Sequence, residues 1–301
     1  MTTAQSEQKA PVIVGHFSHT SCWLDEPDGW AFFVSHYDGQ VKRLIVFVHG
    51  FRGGSVGTWT DFPFIDAALP ENLWWYESDY LFVGYNSTKD TINGVADRIT
   101  RDMARFYPVP FAPAMEICGL PARDDTTTPY EELVLVGHSL GGVILRRALC
   151  DAAQKWIADS DRQKDTWPAL LDATTRLFSP ASAGFRPAGW LGLLRETVLW
   201  ARAIELFLRR APAYTDLQPG SLVLTAIQRR TEEFAKRGDP DLNALRAHIL
   251  WASPDYVVID ERYETDHVSQ SCDNTSHISV CKPRDAEFVA PWVFVENGSV
   301  D

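Results

Sequence analysis

Glu132-Leu133-Val134-Leu135-Val136 runs without a break into Gly137-His138-Ser139-Leu140-Gly141-Gly142. An uninterrupted apolar run of this length, rich in branched residues, reads as a strand buried on both faces. Beyond it, Val143, Leu145, Ala148 and Leu149 fall at the apolar positions of a helix. Gly137 to Gly141 fits G-x-S-x-G, and a preceding strand with a following helix is the context that gives this pattern meaning as a nucleophile elbow. A sharp strand-to-helix turn strains the serine backbone and projects its Oγ above the strand ends. The flanking glycines are needed where neighbouring chain leaves no room for a Cβ. The helix N-terminus adds free N–H groups and a partial positive charge beside Ser139. The competing reading is a nucleotide-binding turn, and both G-x-G-x-x-G and Walker A patterns are absent.

Outward from this stretch, apolar runs and helical patterns alternate, which predicts a mainly parallel sheet with crossover helices. Val12–Val14, Trp30–Ser35, Arg43–Val48 (RLIVFV) and Tyr80–Gly84 (YLFVG) read as strands before the elbow, and Arg176–Phe178 and Ala247–Trp251 after it. Val95, Ile99, Met103 and Phe106 line one face of a helix over Asn93–Phe106, stopped by Pro108 and Pro110. Ser276–Val280 and a helix from Arg284 onward close the chain. Met1–Ala10 reads as a disordered tail, and 11–301 as one domain with a helical cap insertion at about 185–238. Within that insertion Trp190–Arg210 is apolar over most of a helical circumference, with Arg195, Arg202 and Arg209 confined to a narrow stripe. Such a helix either packs permanently on the core or covers something apolar. As a lid over a substrate pocket it would present Trp200 and Phe207.

Composition narrows the classes. Of 301 residues, 45% are apolar and 23% charged, enough to bury a sizeable core. The net charge of −12 argues against nucleic acid as a partner and against adhesion to anionic lipid through a basic patch. Cys22, Cys118, Cys150, Cys272 and Cys281 are odd in number and show no C-x-x-C spacing. Reduced thiols in a cytoplasmic protein are the expectation, with neither a zinc site nor a dithiol redox site. The N-terminal residues carry no apolar signal region, and no apolar run is long enough to span a membrane.

Five stretches carry a family likeness: FVHGFRGGSVGTW (Phe47–Trp59), GYNSTKDTI (Gly84–Ile92), LVLVGHSLGGVI (Leu133–Ile144), DLQPGS (Asp216–Ser221) and SHISVCKP (Ser276–Pro283). In these the chain resembles the α/β-hydrolases, in particular lipase-like intracellular serine esterases similar to GPI inositol-deacylase domains. The resemblance implies an α/β-hydrolase fold, a parallel sheet flanked by helices, and hydrolysis of an ester-type bond. It leaves the substrate unnamed.

In such a fold the triad runs Ser, then Asp or Glu, then His. His16, His19, His36 and His49 precede Ser139, and His138 lies inside the elbow. His248, in a buried strand, reads as a satisfied core histidine. His267 and His277 remain, and the family's S-H-x-x-x-x-K-P pattern falls on His277. Asp255 lies four residues past the Ala247–Trp251 strand, between Pro254 and an apolar stretch. Asp260, Glu261, Glu264 and Asp266 read instead as a solvated charged run. Ser139, Asp255 and His277 are therefore the expected nucleophile, acid and base. The backbone N–H groups of Phe51 and Leu140 are the expected oxyanion donors, and no metal or cofactor is required. The expected substrate is a small-molecule or lipid ester, which leaves transient membrane contact open. Acyl transfer or amide hydrolysis on the same triad, and a silent hydrolase fold used for association, are the alternatives. Oligomeric state is not readable from the sequence.

Overall fold

The computed structural model describes residues 19–24, 29–37, 39–62, 73–117, 129–159, 167–186, 212–284 and 287–300. In chain order these form β1 (His19–Trp23), β2 (Ala31–Ser35), β3 (Arg43–Val48), β4 (Ser78–Val83), α1 (Ile92–Asp102), α2 (Ala112–Ile117), β5 (Glu132–His138), α3 (Leu140–Ala158) and β6 (Ala173–Phe178). There follow α4 (Pro212–Asp216), α5 (Leu222–Ala235), β7 (His248–Ser253), β8 (Gln270–Asp273) and α6 (Ala290–Asn297). The strands make one sheet in the order β1-β2-β4-β3-β5-β6-β7-β8. β1 and β2 are antiparallel to their neighbours, and every pair from β4 to β8 is parallel.

The period of two along the central strands divides the core. Leu44, Val46 and Val48 of β3, with Leu133 and Leu135 of β5, face the layer that holds α1, α3 and α5. Ile45, Phe47, Val134 and Val136 face the other layer, which is packed with aromatic rings. There Phe47 stacks on Phe82 with centroids 5.2 Å apart, and Trp292 of α6 lies 4.5 Å from Trp74. Both faces are covered, which is why these strands read as continuous apolar runs rather than as alternation.

Local chemistry sets the helix ends. Thr91 caps α1 by accepting from the Gly94 N–H, and Val95, Ala96 and Ile99 turn inward. The helix expected over Asn93–Phe106 tightens into a 3₁₀ turn at Met103–Arg105. Ser221 caps α5 through the Leu224 N–H, and α5 packs on α3, with the Cys150 Sγ 3.1 Å from the Thr231 hydroxyl. Ser276–Val280 is a run of turns, and the last strand lies upstream at Gln270–Asp273. The final helix begins at Ala290, because Arg284 and Phe288 first pair in an antiparallel bridge. Val12–Val14, the tail Met1–Ala10 and Trp190–Arg210, with Trp200 and Phe207, lie outside the described residues.

The charged run after β7 is not uniformly solvated. Asp260, Glu261 and Glu264 are exposed, but the Asp266 carboxylate is fully buried. It accepts both arms of the Arg146 guanidinium from α3, at 3.0 and 2.6 Å, and the N–H groups of Ala247 and Tyr263. The Tyr263 ring lies under the same guanidinium at 4.0 Å. Four donors on one carboxylate explain why a charge is tolerated there, and the reading of Asp266 as a loop charge is corrected. Removing one partner of such a pair strands the other in a dry interior, at a cost of about 3–5 kcal/mol. Asp266→Ala should therefore lose on the order of 3 kcal/mol in urea unfolding, while Asp260→Asn, whose exposed carboxylate pairs with Arg186, should leave the midpoint unchanged. Equal midpoints for the two variants would remove Asp266 from the structural account.

Candidate active site

The site is built where β5 ends. Ser139 sits at φ 55° and ψ −117°, outside the regions open to an unstrained L-residue, and α3 starts at the next residue. A Cβ on Gly141 would come within 2.1 Å of the Val48 carbonyl oxygen, and one on Gly142 within 2.9 Å of Pro180. These contacts are closer than any side chain permits, so the turn forms only with glycine at both positions. The strained serine backbone, at the end of a central parallel strand and the start of a buried helix, has the sharp strand-to-helix geometry that the G-x-S-x-G pattern predicts.

The chain has the α/β-hydrolase fold. No family model matches it, and no curated protein matches it. Among solved structures it is similar to the Bacillus licheniformis lipase BlEst2 in mature form, with 16% identity, 90% of this chain and 98% of that chain covered, and a TM-score of 0.48. It is similar also to a bacterial membrane phospholipase A described as a virulence factor, with 16% identity, coverage of 93% and 86%, and a TM-score of 0.45. For Est1E from Butyrivibrio proteoclasticus the identity is 14%, the coverage 93% and 96%, and the TM-score 0.45.

The structure brings the three expected side chains into one line. The Ser139 Oγ lies 2.9 Å from the His277 Nε2, and the His277 Nδ1 lies 2.9 Å from the Asp255 Oδ2. All three residues are buried. Asp255 follows β7, and its other oxygen accepts the N–H groups of Val257 and Val258 at 2.9 and 3.2 Å. Burial pushes the Asp255 carboxyl up, but the bond and charge of His277 and the two backbone N–H groups outweigh it, and the net shift is downward. The carboxylate is thus ionised and accepts from Nδ1–H. Nε2 is left with a lone pair towards the serine hydroxyl, the tautomer that proton removal from Oγ needs.

The remaining candidates lie elsewhere. The His267 ring stacks on His248 at 3.9 Å, and the His267 backbone N–H donates to the Ala247 carbonyl before β7 begins. That is the end of β7 opposite Asp255. His248 is half-buried at the strand edge rather than in the core, and burial, then His267, lowers its pKa to about 4. His49 is buried and stacks on Tyr85 at 4.1 Å, while its Nδ1 donates to the Gly50 carbonyl at 2.8 Å. Leu140, the first residue of α3, has no intrahelical acceptor for its N–H. Phe51 follows Gly50, whose added Cβ would meet the Ser139 Cβ at 3.0 Å. The loop after β3 therefore passes directly beside Ser139.

Sequence reasoning missed a support. The His138 Nε2 lies 2.7 Å from the His277 backbone carbonyl. A carbonyl only accepts, so His138 carries its proton on Nε2 and ties the main chain of His277 to the elbow. Nothing in G-x-S-x-G marks the variable position for this role; the partner lies 139 residues away. Tyr85 was also missed, and its hydroxyl donates to the His49 carbonyl at 2.7 Å. A cavity of about 290 Å³ beside the triad is lined by Gly50, Phe51, Thr58, His138, Ile278 and Cys281, among others. A larger one, about 700 Å³, opens on the far side of the same loop. Among the described residues no group of three or more His, Cys, Asp or Glu side chains is placed to hold a metal ion, and no helix is long and apolar enough to cross a membrane.

Burial, then the neighbouring His277, lowers the His138 pKa from 6.5 to about 3. The unfolded chain thus binds a proton that the folded one refuses between those values, and stability rises with pH across the interval. The contribution is complete above about pH 6.5 and is lost progressively as pH falls toward 3. Asp255, with its pKa depressed, adds loss of the same sign in acid. Urea midpoints should fall as pH drops from 6.5, and His138→Gln, which retains a donor but does not titrate, should fall less steeply. Identical acid slopes would show that His138 does not titrate with folding.

Proposed function

We propose that the protein is a serine hydrolase that cleaves carboxylic esters through an acyl-enzyme. The reading rests on one observation, the hydrogen-bonded line from the Ser139 Oγ through His277 to Asp255 at a strained elbow. His277 takes the Ser139 proton as Oγ attacks the ester carbonyl, and Asp255 stabilises the imidazolium. The Leu140 amide, with the positive end of α3 behind it, and the Phe51 amide hold the tetrahedral oxyanion. His277 then returns the proton to the departing alkoxide, and water, activated by the same imidazole, releases the acid. An acyl-enzyme also reacts with an amine or a second alcohol, so acyl transfer is the same chemistry with another acceptor.

A fluorophosphonate probe should label the folded protein at Ser139, and Ser139→Ala should abolish both labelling and p-nitrophenyl butyrate turnover with an unchanged thermal midpoint. In triad enzymes loss of the nucleophile lowers kcat on the order of 10⁶-fold. Asp255→Asn should lower kcat by about 10⁴-fold, as the equivalent change does in a serine protease, with Asp260→Asn close to the native rate. A folded, unlabelled protein would favour the silent fold.

A further inference from the structure

The larger cavity has a chemistry of its own. Its wall carries Arg52, Ser55, Asn86, Ser87, Thr88 and the Arg98–Asp90 pair, with the half-exposed Trp23 ring at the rim. Arg52 belongs to the loop that passes Ser139, and it lines this cavity and the smaller one alike. Its backbone is left-handed, with φ 58°. Glycine adopts that conformation without strain, and Gly53 and Gly54 stand beside it, yet the chain holds an arginine here. The Arg52 N–H donates to the Ser87 Oγ at 2.8 Å, which fixes the residue against the opposite wall.

Arg52 is exposed, and its guanidinium has no ion-pair partner among the described residues. The one carboxylate in the wall, Asp90, is engaged by Arg98 at 2.7 Å and by the Asn86 N–H at 3.0 Å. The other polar groups are arranged as donors. Asn86 spends its side-chain carbonyl on Thr88, which turns its amide NH₂ elsewhere. The buried Ser87 accepts from Arg52 and retains its hydroxyl proton. A cavity with one unbalanced positive charge and several donors matches an oxyanion. The acidic surface does not cancel this, because at physiological salt charges beyond about 8 Å are largely screened.

We propose that this cavity binds an oxyanion substituent, a phosphate or carboxylate, carried by the ester substrate, with Arg52 as its charged ligand and the Asn86 amide and Ser87 hydroxyl as donors. The assignment rests on the serine-hydrolase reading and narrows it to anionic esters. Arg52 is two residues from Gly50, where an added Cβ would lie 3.0 Å from the Ser139 Cβ, and Arg52 lines both cavities. On this proposal an ester whose carbonyl sits at the loop extends its anionic arm into the larger cavity.

Binding is measured first without turnover. Ser139→Ala protein titrated calorimetrically with glycerol 1-phosphate should bind it and should not bind glycerol. Adding Arg52→Gln should weaken that binding at least tenfold, whereas adding Lys236→Gln, which removes an equal charge from an exposed site, should not. In the native protein glycerol 1-phosphate should inhibit p-nitrophenyl butyrate hydrolysis competitively. Absent binding, binding indifferent to Arg52→Gln, or non-competitive inhibition would overturn the assignment. Arg52-dependent binding without any ester turnover would overturn the hydrolase reading instead. Native protein offered monomeric dibutyryl glycerophosphate and long-chain phosphatidic acid vesicles then separates the sources. Arg52-dependent turnover of the first alone assigns a soluble ester, and of the vesicles a lipid headgroup.

Discussion

The approach of α3 to β3 is the contact on which the rest of the site depends. At Gly141 the helix backbone lies against the carbonyl oxygens of Val48 and His49, leaving no space for even one carbon. That approach requires β5 to turn sharply into α3, which forces Ser139 to positive φ at a cost of about 1–3 kcal/mol. The cost is offset by a helix with thirteen buried residues and by strands covered on both faces. A looser turn would relax Ser139, but it would also withdraw the N-terminus of α3 from the Ser139 side chain. Because His49 is pinned at the same contact, the loop after β3 begins beside Ser139. The placement of Gly50, Phe51 and Arg52 around Ser139 is thus a consequence of backbone packing.

His277 shows how a loop residue acquires the precision of a core residue. Its side chain is held by Asp255, and its main chain by His138. The two anchors come from opposite sides, one from the loop after β7 and the other from the elbow. Both depend on protonation states, set at Asp255 by His277 and two backbone N–H groups against the effect of burial, and at His138 by burial itself. Asp255 accepts because its carboxyl is ionised, and His138 donates from Nε2 while neutral. The two imidazoles lie with ring centroids 4.9 Å apart, so a positive charge on His138 would repel the imidazolium on His277. Keeping His138 neutral leaves that charge to the group that can use it.

The central strands and the elbow were legible in the sequence because burial on both faces writes an unbroken apolar run, as in RLIVFV and ELVLV. The edge strands were not. β1 (HTSCW) and β8 (QSCD) are short and largely polar, and each pairs on one side only, so neither leaves that mark. Chain order left His267 and His277, the family resemblance chose His277, and with Asp255 placed after a strand this led to the three side chains that the structure joins by hydrogen bonds. Asp266 was illegible from its own surroundings, which are charged and loop-like. The signal lay 120 residues away, in an arginine set within the apolar stretch of α3. A cation that a helix must bury demands a buried anion, but sequence order does not say which of the carboxylates after β7 supplies it.

The proposed oxyanion donor and the proposed ligand site share one short loop. A Cβ on Gly50 would lie 3.0 Å from the Ser139 Cβ, Phe51 is the next residue, and Arg52 lines the polar cavity. The loop is tied at both ends of this run, by the Tyr85 hydroxyl on the His49 carbonyl and by the Ser87 hydroxyl on the Arg52 N–H. Tyr85 and Ser87 both follow β4, so one segment braces the loop in two places. A force on the Arg52 side chain is therefore resisted by Ser87 before it reaches Phe51. On the proposed reading, an anchor of this kind lets a group bind in the polar cavity without displacing the Phe51 amide, and binding energy gained remotely then appears at the carbonyl as orientation. Substituting Arg52 tests the ligand, whereas substituting Ser87 tests the brace. The two acts separate because a lost brace shifts the donor for every ester, charged or neutral.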